Sequence, residues 1–238
     1  MLKARGLSYE KLSGGLTDIN LDVDKGEVLV LVGPNGCGKS LIIERLADPD
    51  SEYSGSISAY HFQSRSDAEK YRSQIGYLPQ SFLPPLHLTG YEYLDIIGAL
   101  YYLEPSSRTE KIIGLAKNLN CSRGLYTVME RVSLATRQRI GLIATLLAEP
   151  PILLWDEPLQ YLDSHGQSVA LDQLNRHIGN NGCAVIATND LLFAEQIGNY
   201  FCIIDEGRII AEGTLGELTH QAQSKKDLTD IYHRLLRK

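Results

Sequence analysis

A chain of 238 residues, 43% hydrophobic and 22% charged, has room for one large domain with a substantial core, or for a main domain carrying a subdomain. Its net charge of -6 argues against nucleic-acid binding driven by overall charge, and no apolar run approaches the length of a membrane-spanning helix. Residues 1–6 lack the apolar centre of a secretory signal, and Cys37, Cys121, Cys183 and Cys202 form neither a C-x-x-C pair nor a zinc-like cluster. A reducing, cytoplasmic setting is expected, with Cys183 and Cys202 acting as small core hydrophobes.

In chain order, residues 2–8 and the alternation of Ile19, Leu21 and Val23 predict half-buried strands. After a turn at Lys25-Gly26, Val28–Val32 is a continuous apolar run, the pattern of a strand buried on both faces. A Gly-rich segment, 33–38, leads into helical spacing over Lys39–Ala47. Residues 56–62 read as one further β segment, and Ile75–Leu78 as a short buried strand. From about 82 to 150 proline and glycine punctuate the chain (Pro84, Pro85, Gly90) and the period becomes helical, with helices predicted over 91–103, 108–118 and 133–148. Residues 152–155, Cys183–Ala187 and 200–204 return to buried strands, separated by helical patterns at 164–178 and 190–197. The tail, 214–238, reads as helical and charged. This alternation predicts an α/β core interrupted by an all-helical insert.

Two segments carry chemistry. Gly33-Pro34-Asn35-Gly36-Cys37-Gly38-Lys39-Ser40 fits the phosphate-loop pattern G-x-x-x-x-G-K-[ST], between a buried strand and a helix. Its glycines let backbone N–H groups wrap phosphate oxygens, Lys39 supplies charge for the β- and γ-phosphates, and the Ser40 hydroxyl is a Mg²⁺ ligand. Cys37, inside the loop, is expected to be accessible and somewhat reactive. Residues 152–158 then place Asp156 and Glu157 at the end of an apolar strand, the edge of a parallel sheet where ligands bind. Asp156 is positioned to hold Mg²⁺, mostly through water, and Glu157 to orient or deprotonate an attacking water.

With these motifs in this order, the chain resembles the ABC ATPases from end to end. The resemblance implies a P-loop NTPase core with a mostly parallel sheet, an N-terminal antiparallel β part and an inserted helical subdomain. A single ABC ATPase domain would span 1–238, with 1–80 and 151–238 as nucleotide-binding core and about 81–150 as the subdomain carrying the signature region. It implies that Tyr9 stacks on adenine, that Gln80 joins the Mg²⁺ site and links core to subdomain, and that Leu162-Asp163 crosses between dimer halves. Asn189 matches the switch position near the γ-phosphate. ATP and Mg²⁺ are the implied cofactors, and a dimer attached to a separate transmembrane subunit, on the cytoplasmic face of the membrane, is the implied assembly.

Two departures stand out. The family signature, L-S-G-G-Q, is here Val132-Ser133-Leu134-Ala135-Thr136, followed by the well-matched Arg137-Gln138-Arg139. In the family this segment clamps the nucleotide of the opposite subunit; without its glycines close approach is harder. Asn189 replaces the usual switch histidine and cannot carry positive charge. The sequence therefore supports an ATP-hydrolysing transporter subunit with weakened hydrolysis, and alternatively a slowly hydrolysing regulatory partner in a heterodimer. A cassette of DNA repair or translation would usually carry two cassettes or long coiled-coil inserts, which do not appear here. The pattern of residues 88–103 and the tail at 227–236 resemble export-type cassettes, though ordinary packing helices explain them nearly as well.

Overall fold

The computed structural model describes residues 1–10, 14–223 and 227–236. Its strands are β1 (Leu2–Tyr9), β2 (Leu16–Val23), β3 (Val28–Val32), β4 (Ser54–Ala59), β5 (Phe62–Gln63), β6 (Ile75–Leu78), β7 (Ile152–Asp156), β8 (Cys183–Ala187), β9 (Tyr200–Asp205) and β10 (Arg208–Gly213). The helices are α1 (Lys39–Ala47), α2 (Ala68–Arg72), α3 (Gly90–Leu100), α4 (Pro105–Asn118), α5 (Leu134–Leu146), α6 (Ser164–Gly179), α7 (Leu191–Ile197), α8 (Leu215–Gln221) and α9 (Leu228–Leu236).

Strands β2-β1-β4-β5 form an antiparallel sheet. In β2 the buried positions are Leu16, Ile19, Leu21 and Val23, so strict alternation fails once, between 16 and 19. There Asp18 takes φ +51° and the pairing with β1 shifts register, the signature of a bulge that re-aims the strand. A second sheet, ordered β10-β9-β3-β8-β7-β6, is parallel except for the β9–β10 hairpin. Its strands β3, β7 and β8 are buried along their whole length, which is why they read as unbroken apolar runs.

The two faces of this sheet feed two cores. Val28, Val30, Val32, Leu153 and Trp155 pack with Leu94, Ile112, Ile140 and Leu174 from the helices. Leu29, Leu31, Leu154 and Val185 pack with Ile42 and Leu46 of α1 and with Leu7 and Ile57 of the antiparallel sheet. The helices between β6 and β7 thus share a core with the sheet, and the indole N–H of Trp155 donates to Thr145 Oγ1 of α5 at 3.1 Å. Helix α3 starts with a capping box: Thr89 accepts from Glu92 N at 3.2 Å, and Glu92 accepts from Thr89 N at 2.8 Å.

Some expected elements are corrected. Residues 56–62 are not one strand: the chain turns at Tyr60, φ +56°, and β4 continues into the short β5. Helix α2 and strand β10 were not predicted, the first because it is only five residues long. The tail holds two helices, α8 and α9, with a break between them; residues 224–226 and 237–238 of that prediction lie outside the described residues.

Candidate nucleotide site

The phosphate loop joins β3 to α1, and its glycines answer to steric limits. A Cβ on Gly33 would lie 2.2 Å from the carbonyl oxygen of Ile204 and 2.6 Å from Cys37 Sγ. Gly38, the N-cap of α1, takes φ +112°, which L side chains rarely adopt. The loop is pinned from outside by Gly207 N, which donates to the Cys37 carbonyl at 2.8 Å. Lys39 is buried, and its Nζ donates to the carbonyls of Gly33 at 2.7 Å and Pro34 at 3.0 Å. Its charge is therefore held at the head of α1, where the helix dipole also favours an anion.

The expectation for Cys37 is overturned. The residue is 6% exposed, and burial pushes its pKa up despite Lys39 nearby. A protonated, enclosed thiol is a packing group beneath the loop. The other three cysteines are also buried, with pKa raised by burial to about 11 at Cys121 and about 12 at Cys183.

A cleft of about 830 Å³ is lined by Asn35 through Ser40, Gln80, Asp156, Glu157 and Asn189. Asp156, at the end of β7, is 3% exposed; burial raises its pKa, opposed by a hydrogen bond from Ser40 and the charge of Lys39. Glu157 follows with φ +48°, and its carboxylate is fixed at both oxygens. Oε2 accepts from Thr188 Oγ1 at 3.0 Å and Oε1 from Asn189 N at 2.8 Å. Burial raises the pKa of Glu157 as well, with those two bonds opposing. Asn189 completes a bridge: its Nδ2 donates to Asn35 Oδ1 in the phosphate loop at 2.6 Å. Gly33 and Pro34 sit behind, lining a smaller cavity with Asn35, Asn189 and Tyr232 of α9.

Other sequence candidates fall outside the cleft. Tyr9 does not line it, and one face of its ring is covered by the Arg45 guanidinium, 4.2 Å from the centroid. Ser133 is the N-cap of α5, accepting from Thr136 N at 3.2 Å and lying 3.0 Å from the Thr136 hydroxyl. Leu134 is 53% exposed and Ala135 follows it on the first turn, none of the three lining the cleft. Asp163 caps α6 by accepting from Gly166 N at 2.9 Å and also receives Arg139 at 2.8 Å. The Gly166 bond, then Arg139, holds its carboxyl below the usual carboxylate range.

Sequence reasoning missed Gly14, Gly15, Glu206 and Gly207, which close one side of the cleft. A Cβ on Gly207 would come within 1.9 Å of the Gly15 carbonyl, and Thr17 N donates to Gly207 O at 2.9 Å. The Gly14-Gly15 pair ahead of β2 was the available signal: adjacent glycines mark close backbone approach.

The family model for the ABC transporter matches residues 16–160. The ABC-type transporter ATP-binding protein EcsA of Bacillus subtilis is 28% identical over 233 residues, 95% of this chain and 94% of that protein. The uncharacterized ABC transporter ATP-binding protein YxlF of the same organism is 30% identical over 207 residues, 87% of this chain and 68% of its own length. A solved structure described as the ATP binding subunit of an ABC transporter superposes with a TM-score of 0.92 at 27% identity, covering 99% of both chains. With its phosphate loop, buried Asp156 and Glu157 converging on one cleft, this chain belongs to the ABC transporter family, as an ATP-binding and ATP-hydrolysing subunit.

Proposed function

We propose that the chain binds Mg·ATP as a dimer with two nucleotides sandwiched between subunits, and that hydrolysis reopens the dimer to drive a separate membrane subunit. One observation carries this reading: the parts are divided. Lys39, Ser40, Gln80, Asp156 and Glu157 share one cleft, whereas the head of α5, with Ser133, Leu134, Ala135 and Thr136, lines no part of it, Ser133 and Leu134 being exposed and Ala135 and Thr136 half-buried. That second helix head gains a use when another subunit brings its nucleotide to it. The side chain of Asp163, 69% exposed, lies on the loop that would cross between halves.

The cleft suits a small hard cation. Ser40, Asp156 and Gln80 offer oxygen donors only, and the buried carboxyl of Asp156 is a charge that a cation would offset. Mg²⁺ held by Ser40, Gln80 and, through water, Asp156 would neutralise phosphate charge. Glu157 takes a proton from the attacking water. The water oxygen bonds to the γ-phosphorus, and the bond from that phosphorus to the bridging oxygen breaks, leaving ADP and phosphate. Lys39 and the loop N–H groups of residues 35–40 hold the phosphates, and Asn189 exchanges its bond to Asn35 for one to the γ-phosphate or the water. Adenine stacks on the face of Tyr9 that Arg45 leaves uncovered.

Among the described residues no helix is long and apolar enough to cross a membrane. Exposed Leu83, Leu100 and Tyr102 supply apolar surface around α3 on which a membrane partner would dock, and the family's ATP-binding subunits work on the cytoplasmic face, where this one would sit. Leu134, exposed where the family keeps glycine, favours pairing with a second cassette whose intact signature serves this chain's Lys39. Light scattering of Glu157→Gln tests the assembly. Dimerisation on adding Mg·ATP supports the homodimer, and a shift only with a second cassette supports the heterodimer. An unchanged mass in both cases overturns the sandwich.

A further inference from the structure

Two consecutive residues of α5 reach across to the turn that carries Glu157. Gln138, 3% exposed, donates through Nε2 to the carbonyl of Pro158 at 3.1 Å, with the Glu157 carbonyl at 3.4 Å. Arg139 donates through Nη2 to Asp163 Oδ1, the same oxygen that caps α6. Helix α6 makes room for that guanidinium at Gly166, where a Cβ would lie 2.8 Å from Nη2. The turn 157–163 is therefore gripped at both ends by one helix.

Glu157 needs that grip. Its φ of +48° is unfavourable for a residue with a side chain and persists only where surrounding contacts fix it. On one side its N–H is held by the Ala187 carbonyl at 2.9 Å and its carboxylate by Thr188 and Asn189. On the other, the Gln138 amide is the one side-chain donor to the Pro158 carbonyl among the described residues. Remove it and the buried Pro158 carbonyl loses its side-chain donor, leaving the Gln160 N–H, 3.1 Å from the Glu157 carbonyl, to hold the start of the turn.

We propose that Gln138 is a positioning residue for ATP hydrolysis, holding the Pro158 carbonyl and with it the turn that leads directly out of the base Glu157. This rests on Glu157 being the base. Because Ser133 begins the same helix five residues earlier, the grip ties the signature of one subunit to the base of that same subunit. Two variants of nearly equal volume test it in the full chain: Gln138→Met, without a donor, and Gln138→Glu, with an acceptor in the donor's place. Single-turnover hydrolysis at saturating Mg·ATP should fall about tenfold or more in both, since small misplacements of a reacting group carry such penalties. ATP affinity should stay within about twofold, because Gln138 lines no part of the cleft. Wild-type turnover in either variant that melts as a folded protein overturns the proposal, as does affinity falling in step with rate. Glu157→Gln separates the two readings. If it retains turnover, the base assignment fails first; if it abolishes turnover while Gln138→Met does not slow it, positioning alone fails.

Discussion

The phosphate loop and the head of α5 both present helix N-termini suited to phosphate, yet they are constrained in different ways. In the loop, Gly33 abuts the Ile204 carbonyl and Gly38 holds φ +112°, so the chain's own packing dictates the residues. At α5, Ser133 closes a local cap with Thr136, and the neighbouring Leu134 points into solvent. Among the described residues Leu134 stays 53% exposed, so the subunit's own packing leaves room for a leucine there; a nucleotide brought by a second subunit, as proposed, would not. A site enforced from within keeps its pattern when a substitution arrives, whereas a site enforced by a partner can drift with the partner. Position 189 shows both behaviours in one residue. Its backbone N–H still holds Glu157, a task any side chain permits, while its side chain no longer carries the charge of histidine.

The contrast can be broken most severely at the base. Glu157→Gln should lower turnover by about 10²–10⁴-fold with ATP still bound, as measured by phosphate release and calorimetry. In the parent protein, burial raises the pKa of Glu157, so the rate should fall as pH drops through a value above the ordinary carboxylate range. A limb in the ordinary range would show that Glu157 is not the titrating group. Lys39→Ala should weaken ATP binding by about 10–100-fold, the scale of a lost charge-assisted contact; equal affinity by calorimetry would remove the loop from the site. A gain is expected on the drifting side. Leu134→Gly, Ala135→Gly and Asn189→His together should raise turnover about tenfold or more, and more steeply with protein concentration, through contacts worth about 1–3 kcal/mol each. A folded triple variant no faster than its parent would mean that Ser133 and backbone N–H groups suffice. The smallest effect is expected at Tyr9, where alanine should weaken ATP binding several-fold and phenylalanine should not, for stacking worth about 0.5–1.5 kcal/mol. Equal binding by alanine and tyrosine would leave Tyr9 as a strand residue carrying Arg45.

The parts legible in the sequence are those whose cause is local. Val28–Val32, Ile152–Asp156 and Cys183–Ala187 announce themselves because burial on both faces demands unbroken apolar residues. The phosphate loop is legible because its glycines and Lys39 act within eight residues. Strand β10 was not, since it is half exposed and its order Arg208-Ile209-Ile210-Ala211 breaks alternation where the pairing with β9 shifts register. The turn at Tyr60 carries no glycine, asparagine or proline to mark it. Cys37 was misjudged because loop position suggested exposure, while Gly33, with no side chain, leaves the space that its sulfur fills. The links that tie the site together join residues far apart in sequence. Asn189 reaches Asn35 across 154 positions, and Gln138 reaches Pro158 across 20, distances over which no periodicity speaks.

The place of β3 in its sheet also bears on how the molecule comes into being. Val28–Val32 is the strand from which the phosphate loop springs, and its two neighbours are β8 and β9. About 150 residues separate Val32 from Cys183, the first residue of β8, so at roughly 5–20 residues per second a ribosome needs on the order of ten to thirty seconds to supply it. For that interval five consecutive valines and leucines have no sheet partner on either side, the kind of segment that pairs with the wrong chain when left uncovered. The earlier antiparallel strands and α1 are already made and can shield Leu29 and Leu31, whose core they share. The face formed by Val28, Val30 and Val32 waits for later helices and strands. Birth of the nucleotide site is thus set by the arrival of the last quarter of the chain, and a nascent chain stalled before Cys183 would hold a complete phosphate loop on a strand with nothing beside it.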